Sequence, residues 1–294
     1  MLARRRRTSA IRSAEQAGPV RAITAWVVGL LVFFPVLYLV LTGFKAENDA
    51  LKLPPTILPV PQGATGIPAS FSPTLDNFAA VIDRNFAPFF QHSLIVVSVS
   101  VLLVLIFALP AAYALSWRNA THKRDVLFFF ISTKFLPAVG VIVPIFVIAR
   151  DLRAIDNMAT LVVMYTAMNL PIAIWMLRSF FDEVPRDVLD ASRLDGASIP
   201  QELFQVALPM IAPGLVATAF ICIIFGWNEF FIAVNLSATQ AATVPMFMIS
   251  FVTSEGLFWA KLAAAGTMAM LPVVIIGWSA QRALVRGMSM GAVK

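Results

Sequence analysis

The sequence predicts an all-α integral membrane protein, a fold class that follows from three observations. Of the 294 residues, 59% are hydrophobic and 13% are charged, which leaves more apolar surface than a soluble domain of this size could bury. The apolar residues form six continuous segments, each close to the ~20 residues that a helix needs to cross a bilayer. The strands of a membrane barrel would alternate polar and apolar residues over about half that length. We therefore predict a bundle of six transmembrane helices.

A basic N-terminal tail, residues 1–21, precedes the predicted membrane domain, residues 22–294. The first apolar run is too long for the core of a signal peptide, so we interpret it as an uncleaved first span. If the spans alternate in direction, 15 lysines and arginines fall on the side of the N-terminus and six on the other side. This asymmetry predicts cytoplasmic N- and C-termini. The predicted spans are residues 22–44, 93–117, 126–149, 159–181, 211–236 and 258–284.

Several classes of function are disfavoured by the residues present. The single cysteine, Cys222, lies in an apolar run, and with only His92 and His122 as histidines we find no metal-ligand cluster. The formal charge of +6 does not indicate nucleic-acid binding, because the basic residues are spread over loop ends rather than interleaved with aromatics on one element. The sequence also lacks a phosphate-binding G-x-x-x-x-G-K-[ST] loop. We therefore expect no cofactor in this chain and no nucleic-acid partner.

A polar insert, residues 182–213, separates the fourth and fifth predicted spans and falls on the cytoplasmic side. It contains six acidic and two basic residues. Pro185 suits the start of a helix and Gly196 its end, while Ser198 and Gln201 have the spacing of a capping box. The insert is therefore predicted to form two short helices joined by a tight bend.

A specific motif lies within this insert. It consists of Asp190-Ala191-Ser192, Asp195-Gly196-Ala197, Phe204, Leu208-Pro209 and Pro213. The arrangement resembles the EAA signature of permease subunits of binding-protein-dependent ABC importers, in which Glu-Ala-Ala is followed by Asp-Gly-Ala and later by Leu-Pro. Here Asp190 stands at the usual Glu position and Ser192 at that of the second Ala, so the carboxylate reaches one methylene less far.

The resemblance extends over most of the chain. The segments HSLIVVSVSVLLVLIFALPAAYALSWR, NLPIAIWMLRSFFDEVP, GWNEFF and RGMSMGAVK are similar to the carbohydrate branch, the maltose-type permeases, and STKFLP resembles importers of sugar alcohols. The resemblance implies a six-helix ABC importer permease bundle in a bacterial inner membrane, importing a sugar or polyol. It also implies a second homologous permease subunit as heterodimer partner, an ABC ATPase dimer that binds ATP and Mg²⁺, and an extracytoplasmic solute-binding protein.

In this family the EAA helix sits in a cleft of the ATPase, so the resemblance identifies candidate coupling residues in the cytoplasmic two-helix loop. Asp190 would pair with a basic group of the ATPase, and Gly196 would permit the bend. The motif positions carried over as coupling residues are Asp190, Ala191, Ser192, Asp195, Gly196 and Ala197, with Val188 and Leu194 as packing residues.

Polar residues within spans are candidates for the substrate path, because charges in hydrocarbon are costly and usually face a cavity or a partner. Lys134 lies in the third predicted span, and Asn228 and Glu229 lie towards the outer end of the fifth. Trp227 beside them has a ring that can stack on a sugar. The alternatives are a snorkelling or structural Lys134, an interfacial Glu229, and a Trp227 that anchors the helix at the membrane surface.

Two other functions remain open from the residues alone. An ion-coupled secondary carrier would normally carry two related sets of spans and a relay of acids inside the membrane, whereas Glu229 is the one acid in the predicted spans. A membrane enzyme would need a catalytic cluster, which the sequence does not indicate.

Overall fold

The structure, a computed structural model, describes residues 18–60, 70–118, 122–253 and 256–290. It is helical apart from one pair of two-residue strands, β1 (Val252–Thr253) and β2 (Gly256–Leu257), which are antiparallel. The N-terminal helices are α1 (Pro19–Gly43), α2 (Glu47–Ala50), α3 (Asp76–Asp83), α4 (Phe86–Trp117), α5 (Lys123–Phe135) and α6 (Ala138–Asp151). The C-terminal helices are α7 (Met158–Asp182), α8 (Arg186–Leu194), α9 (Ile199–Met210), α10 (Ala212–Trp227), α11 (Phe231–Leu236), α12 (Val244–Ile249) and α13 (Trp259–Met290).

Four helices of the described residues are long and apolar enough to cross a membrane: α1, α4, α7 and the Trp259–Gln281 part of α13. The number rises to six only if α5 with α6 and α9 with α10 are each counted as one span, and these pairs bend by 92° and 82°. The helical membrane fold is thus confirmed, with two of the six spans broken. Of the predicted basic tail, residues 1–17 lie outside the described residues and Pro19–Arg21 already belong to α1.

The third predicted span, residues 126–149, consists of two helices that meet at a 92° bend. The chain leaves helical geometry at Leu136 (ψ 129°) and Pro137 (ψ 120°), and α6 then starts in a different direction. Proline has no backbone N–H to donate, and its ring disfavours the α conformation of the residue before it. Lys134 therefore lies in the last, 3₁₀-helical turn of α5, directly before the break.

The fifth predicted span, residues 211–236, is likewise not one continuous helix. Its first part, α10, has 16 residues, which span about 24 Å and fall short of the ~30 Å hydrocarbon core. The side chain of Asn228 donates to the carbonyl of Ile224, and the Glu229 carboxylate accepts the N–H of Ile232 at 2.7 Å. These polar side chains satisfy the backbone at the break, so that one helix ends and α11 begins.

One compact unit comprises the described parts of Met1–Val81 together with Phe258–Thr267. Within it, the amide of Asn77 donates to the carbonyls of Gly43 (2.9 Å) and Lys45 (2.6 Å), which ties α3 to the end of α1. The ammonium group of Lys45 is buried 4.3 Å from the centre of the Tyr38 ring, so a cation–π contact replaces the water that this charge loses.

The second unit, Ile82–Leu257 with Met268–Lys294, contains the predicted coupling loop. Its centre is the pair α4 and α7, and α10 packs against both. Small side chains such as Ala108, Ala112 and Ala173 are fully buried in this pair, which allows close packing of the helices. A Cβ atom at Gly214 of α10 would lie 2.3 Å from the ring of Phe180, so only glycine permits this approach to α7.

Candidate coupling site

The insert between α7 and α10 forms the predicted pair of short helices with a bend between them. Pro185 precedes the first residue of α8 rather than lying in its first turn. Gly196 has φ +83°, the left-handed conformation expected of a glycine that ends a helix, and its N–H donates to the carbonyl of Arg193. A Cβ atom at Gly196 would meet nothing within 4 Å. Backbone conformation, rather than lack of space, therefore requires glycine here.

The start of α9 confirms the predicted capping box, since the Ser198 N–H donates to the side chain of Gln201 at 2.8 Å. The helix continues past Pro209 to Met210 and breaks at Ile211. Its middle part, Glu202–Ala207, is π-helical. Such wider turns occur mostly as local insertions in α-helices, often at functional sites.

Helix α8 has one buried face and one open face. Leu189 is fully buried and Val184 before the helix is nearly so, whereas Val188 is 37% and Leu194 is 89% exposed. Val188 and Leu194 therefore have little packing role within this chain, and their proposed packing against a partner stays a prediction. The apolar side chain that anchors α8 within this chain is Leu189, which was not among the predicted packing residues.

An ion-pair network fixes α8 to α9. Arg193 donates from Nε to Glu202 Oε2 and from Nη2 to Glu202 Oε1, both at 2.8 Å, while Tyr113 of α4 donates its hydroxyl to the same carboxylate. Glu202 is 2% exposed, so the two-pronged hydrogen bond from the guanidinium supplies the counter-charge that a buried carboxylate needs. The hydrogen bond with Glu202 raises the pKa of Arg193 above its ordinary value. Arg193 thus stays charged at all physiological pH values.

Asp190 already has a basic partner in this chain. Its carboxylate accepts from Arg193 Nη1 at 3.1 Å and stays exposed. Beside it lies a recess of about 640 Å³ in which four of the lining residues are basic. The recess is lined by Ser116, Trp117, Arg118, Lys123, Arg186, Asp190 and Arg193. The acidic hairpin therefore has a basic side that its net composition does not indicate.

The structure gathers most of the predicted coupling residues on the open side of the hairpin. Asp190, Ala191, Asp195 and Gly196 are exposed. Ser192 and Ala197 are half-buried, and the Ser192 hydroxyl donates to the Leu189 carbonyl at 2.7 Å. Their contacts with an ATPase stay predictions.

Sequence reasoning missed the residues that hold the hairpin in place, namely Arg193, Glu202 and Tyr113. Their separation in sequence follows no helical spacing, because the pair Arg193 and Glu202 is nine residues apart across a bend and Tyr113 comes from another span. The one signal available was a single acid, Glu202, between two apolar stretches.

The substrate-path candidates lie at the two helix breaks of the second unit. Trp227 is buried, its indole N–H donates to the carbonyl of Ala269 at 3.0 Å, and its ring meets Phe90 edge-on. Asn228 next to it is exposed, and Glu229 is half-buried. Of these three, Asn228 is the most open to a ligand in this conformation.

Lys134 donates its ammonium group to the carbonyl of Met168 in α7. Asn169, next to Met168, is fully buried, and its Oδ1 has no hydrogen-bond partner among the described residues. Asn169 was not among the predicted site residues, although a polar residue inside an apolar span is a signal for such a role.

Three comparisons with known proteins agree with this architecture. A family model described as binding-protein-dependent transport system inner membrane component matches residues 105–290. The chain is 33% identical over 270 residues to the probable ABC transporter permease protein y4oR of Sinorhizobium fredii, covering 91% of this chain and 92% of the relative. It is 29% identical over 278 residues to the sulfoquinovosyl glycerol transport system permease protein SmoH of Agrobacterium fabrum, covering 94% of each.

Among solved structures, the chain resembles that of a bacterial ABC transporter involved in the import of the acidic polysaccharide alginate. The TM-score is 0.68 at 22% sequence identity, and the match covers 90% of this chain and 94% of that chain. At this identity the likeness concerns the fold alone.

Proposed function

The chain belongs to the family of binding-protein-dependent transport system inner membrane components, and from this premise we propose that α8 transmits motion from a separate ATPase to the membrane helices. Family membership makes the chain a permease subunit of an ABC importer, a transport subunit rather than an enzyme. The alternative of an ion-coupled secondary carrier is thereby set aside. The resemblance to the carbohydrate branch is confirmed, since one relative that matches nearly the whole chain is by name a permease protein of a sulfoquinovosyl glycerol transport system.

The observation that carries the proposal is the combination of an open face and a fixed back on α8. Val188 and Leu194 offer apolar surface to a partner, and Ala191 allows close approach. On the opposite side, Arg193 and Glu202 lock the helix to α9, which continues into the bend before α10. A short helix that is rigidly held can pass a difference in partner contacts on to the spans as rigid-body motion.

We propose that the hairpin and both termini face the cytoplasm of a bacterium and that the chain crosses its inner membrane several times. The excess of lysine and arginine on that side supports this orientation. The proposed partners are an ABC ATPase dimer that binds ATP and Mg²⁺, an extracytoplasmic solute-binding protein, and a second homologous permease subunit that completes a heterodimer. This chain itself would bind no cofactor.

The proposed substrate is a sugar or a sugar alcohol. The name of the Agrobacterium relative supports a carbohydrate, and the motif STKFLP supports a polyol. We propose that the substrate passes the helix breaks at Lys134 and at Trp227, Asn228 and Glu229. Non-helical backbone at membrane depth is tolerated where it lines a cavity or is covered by protein, and transporters place their binding sites at broken helices.

The experiment that tests coupling reverses the charge of Asp190 in the assembled importer. Asp190→Lys places a cation at the proposed ATPase contact, and like charges at an interface cost several kcal/mol. We expect ATP-driven uptake into vesicles to fall by more than about tenfold, with loss of ATPase co-elution or with ATP hydrolysis that no longer drives transport.

Two variants serve as controls. Asp190→Glu keeps the charge and restores the residue usual in the EAA signature, so it should retain uptake. Asp151→Lys makes the same charge change at an exposed acid that precedes α7 and should also retain uptake. Normal assembly and uptake in Asp190→Lys would show that Asp190 has no docking role.

A further inference from the structure

A groove separate from the coupling hairpin runs between α5 and α7 and has a volume of about 430 Å³. Its floor is apolar, and the indole N–H of Trp175 donates to the Leu127 carbonyl at 3.2 Å, which holds the two helices together there. Phe128 is largely exposed beside it. The lining residues are Lys123, Arg124, Leu127, Phe128, Ile131, Trp175 and Arg178.

The three basic residues of the groove lie at one end of it. Lys123 and Arg124 precede Leu127 by about one helical turn in α5, and Arg178 follows Trp175 by about one turn in α7. Helix α5 starts and helix α7 ends on the side of the hairpin, so all three basic residues lie at the hairpin end of the groove. Lys123 also donates to the carbonyl of Ser116 in the last turn of α4. The groove therefore has a basic end next to the hairpin, and its apolar floor extends from there away from the hairpin.

The charges at this end are only partly neutralised. Lys123 has a neutral carbonyl as its partner, and Arg124 has no acid within 4.0 Å among the described residues. Arg178 pairs with Asp182 through Nη2 at 3.3 Å, but its Nε is buried without a hydrogen-bond partner among the described residues. The other nearby acid, Asp125, is exposed and pairs with His122 at 3.2 Å. A buried guanidinium donor without an acceptor is costly and indicates an acceptor from outside the chain.

We propose that this groove binds an anionic phospholipid, whose phosphate is held by Lys123, Arg124 and Arg178 while one acyl chain lies along Leu127, Phe128 and Ile131. Basic pockets between membrane helices on the cytoplasmic side are suited to anionic headgroups. A protein partner would have to bring both an acidic group and an apolar strip into a narrow groove at the level of the headgroups. A lipid of the same leaflet has both in one molecule.

The inference takes from the proposed function only that the chain spans a bilayer with the hairpin end in the cytoplasm. The lipid would bridge α5 and α7 next to the end of α4, close to the recess at Asp190, with which the groove shares Lys123. An anionic headgroup bound here would hold α5 and α7 together, and these are helices that the hairpin is proposed to move.

Native mass spectrometry of the importer tests this proposal. The full chain, purified with its co-eluting subunits from nanodiscs that contain equal amounts of phosphatidylglycerol and phosphatidylethanolamine, should retain phosphatidylglycerol preferentially. A basic residue near the membrane surface is worth about a fivefold preference for an anionic lipid. Arg124→Gln/Arg178→Gln should therefore lower the ratio of bound phosphatidylglycerol to phosphatidylethanolamine by roughly 25-fold.

Arg150→Gln is the matched control, because it removes an exposed arginine at the other end of the α5 and α6 pair and should leave the ratio unchanged. Ile131→Trp fills the apolar floor and should lower binding without altering charge. Equal retention of both lipids by the wild type, or an unchanged ratio in the double glutamine variant, would refute the site. Release of the bound lipid by inorganic phosphate alone would show that the basic end of the groove binds a free anion and that the apolar floor does not contribute to binding.

The same samples separate this inference from the proposed function. Co-elution of an ATPase reports on the proposed function, whereas the lipid ratio is read from the masses of the permease itself. Either result can fail while the other holds.

Discussion

Two fixed carboxylates lie near opposite ends of α7, and they are held in different ways. Asp156, just before the helix, accepts the backbone N–H groups of Ala238, Thr239, Gln240 and Ala241, at 2.8–3.1 Å. Glu202, packed at the other end, is held by side chains, those of Arg193 and Tyr113. The ends of this 25-residue helix are about 37 Å apart.

The two ends of α7 are held by different kinds of group. Four N–H groups from one loop segment surround Asp156, which itself has φ +58°, so the loop before α7 and the loop after α11 form one rigid connection. At the hairpin, the side chains of Arg193 and Glu202 hold α8 to α9. The end of α7 next to the proposed coupling helix is therefore tied by a side-chain ion pair, and the opposite end by backbone N–H groups.

Among substitutions that test this difference between the two ends of α7, Arg193→Met is expected to have the largest effect on stability. It leaves the Glu202 carboxylate buried without a counter-charge, which costs about 3–5 kcal/mol. We expect a corresponding fall in the free energy of unfolding, measured by thermal unfolding of the purified importer. Arg193→Met/Glu202→Leu removes both charges and should recover most of the loss, because a buried ion pair can be replaced by apolar groups at little cost. A single variant as stable as the double variant would mean that Glu202 is not held by Arg193.

A smaller effect is expected from Asp156→Asn, which keeps the left-handed backbone but removes the charge. Loss of charge-assisted hydrogen bonds should lower the free energy of unfolding by about 2 kcal/mol. Asp151→Asn is the control, since Asp151 pairs only with an exposed arginine and should change stability by less than about 0.5 kcal/mol. Equal stability of Asp156→Asn and Asp151→Asn would contradict a stabilising role for the backbone hydrogen bonds to Asp156.

The backbone hydrogen bonds to Asp156 also predict that the free energy of unfolding depends on pH. Burial by itself raises the pKa of Asp156, but the four backbone N–H groups outweigh it and hold the pKa well below its ordinary value. The stabilisation is therefore complete above the unfolded pKa of about 3.9 and is lost as the pH falls further towards the folded pKa. Between about pH 4 and pH 3, the wild type should lose more stability than Asp156→Asn. Parallel curves for the two proteins would refute this assignment.

The smallest effect concerns the bend between α8 and α9. Gly196→Ala keeps the space but places a Cβ in a left-handed backbone, which costs about 1 kcal/mol. Hydrogen exchange of the amides at the end of α8 should become roughly fivefold faster, measured by mass spectrometry. Gly196→Asn should change exchange much less, because asparagine tolerates this conformation. Equal acceleration by both substitutions would mean that something other than the left-handed φ requires glycine.

Composition and local signals predicted the membrane fold, the bend at Gly196 and the capping box at Ser198, because each depends on residues that are neighbours in the chain. Hydropathy alone did not predict the breaks in the third and fifth spans. Hydropathy counts apolar residues and does not register that Pro137 lacks an N–H or that Glu229 starts a new helix.

Local chemistry alone accounts for the helical membrane fold, the position of the hairpin and its acidic balance, since apolar length, turn residues and charge act within a few residues. Packing in three dimensions decided the rest. It paired Arg193 with Glu202 across the bend, brought Tyr113 to the same carboxylate from a distant span, and surrounded Asp156 with N–H groups more than 80 residues away. Hydrogen bonds form between whichever groups folding brings within about 3 Å, and no spacing along the chain records that distance.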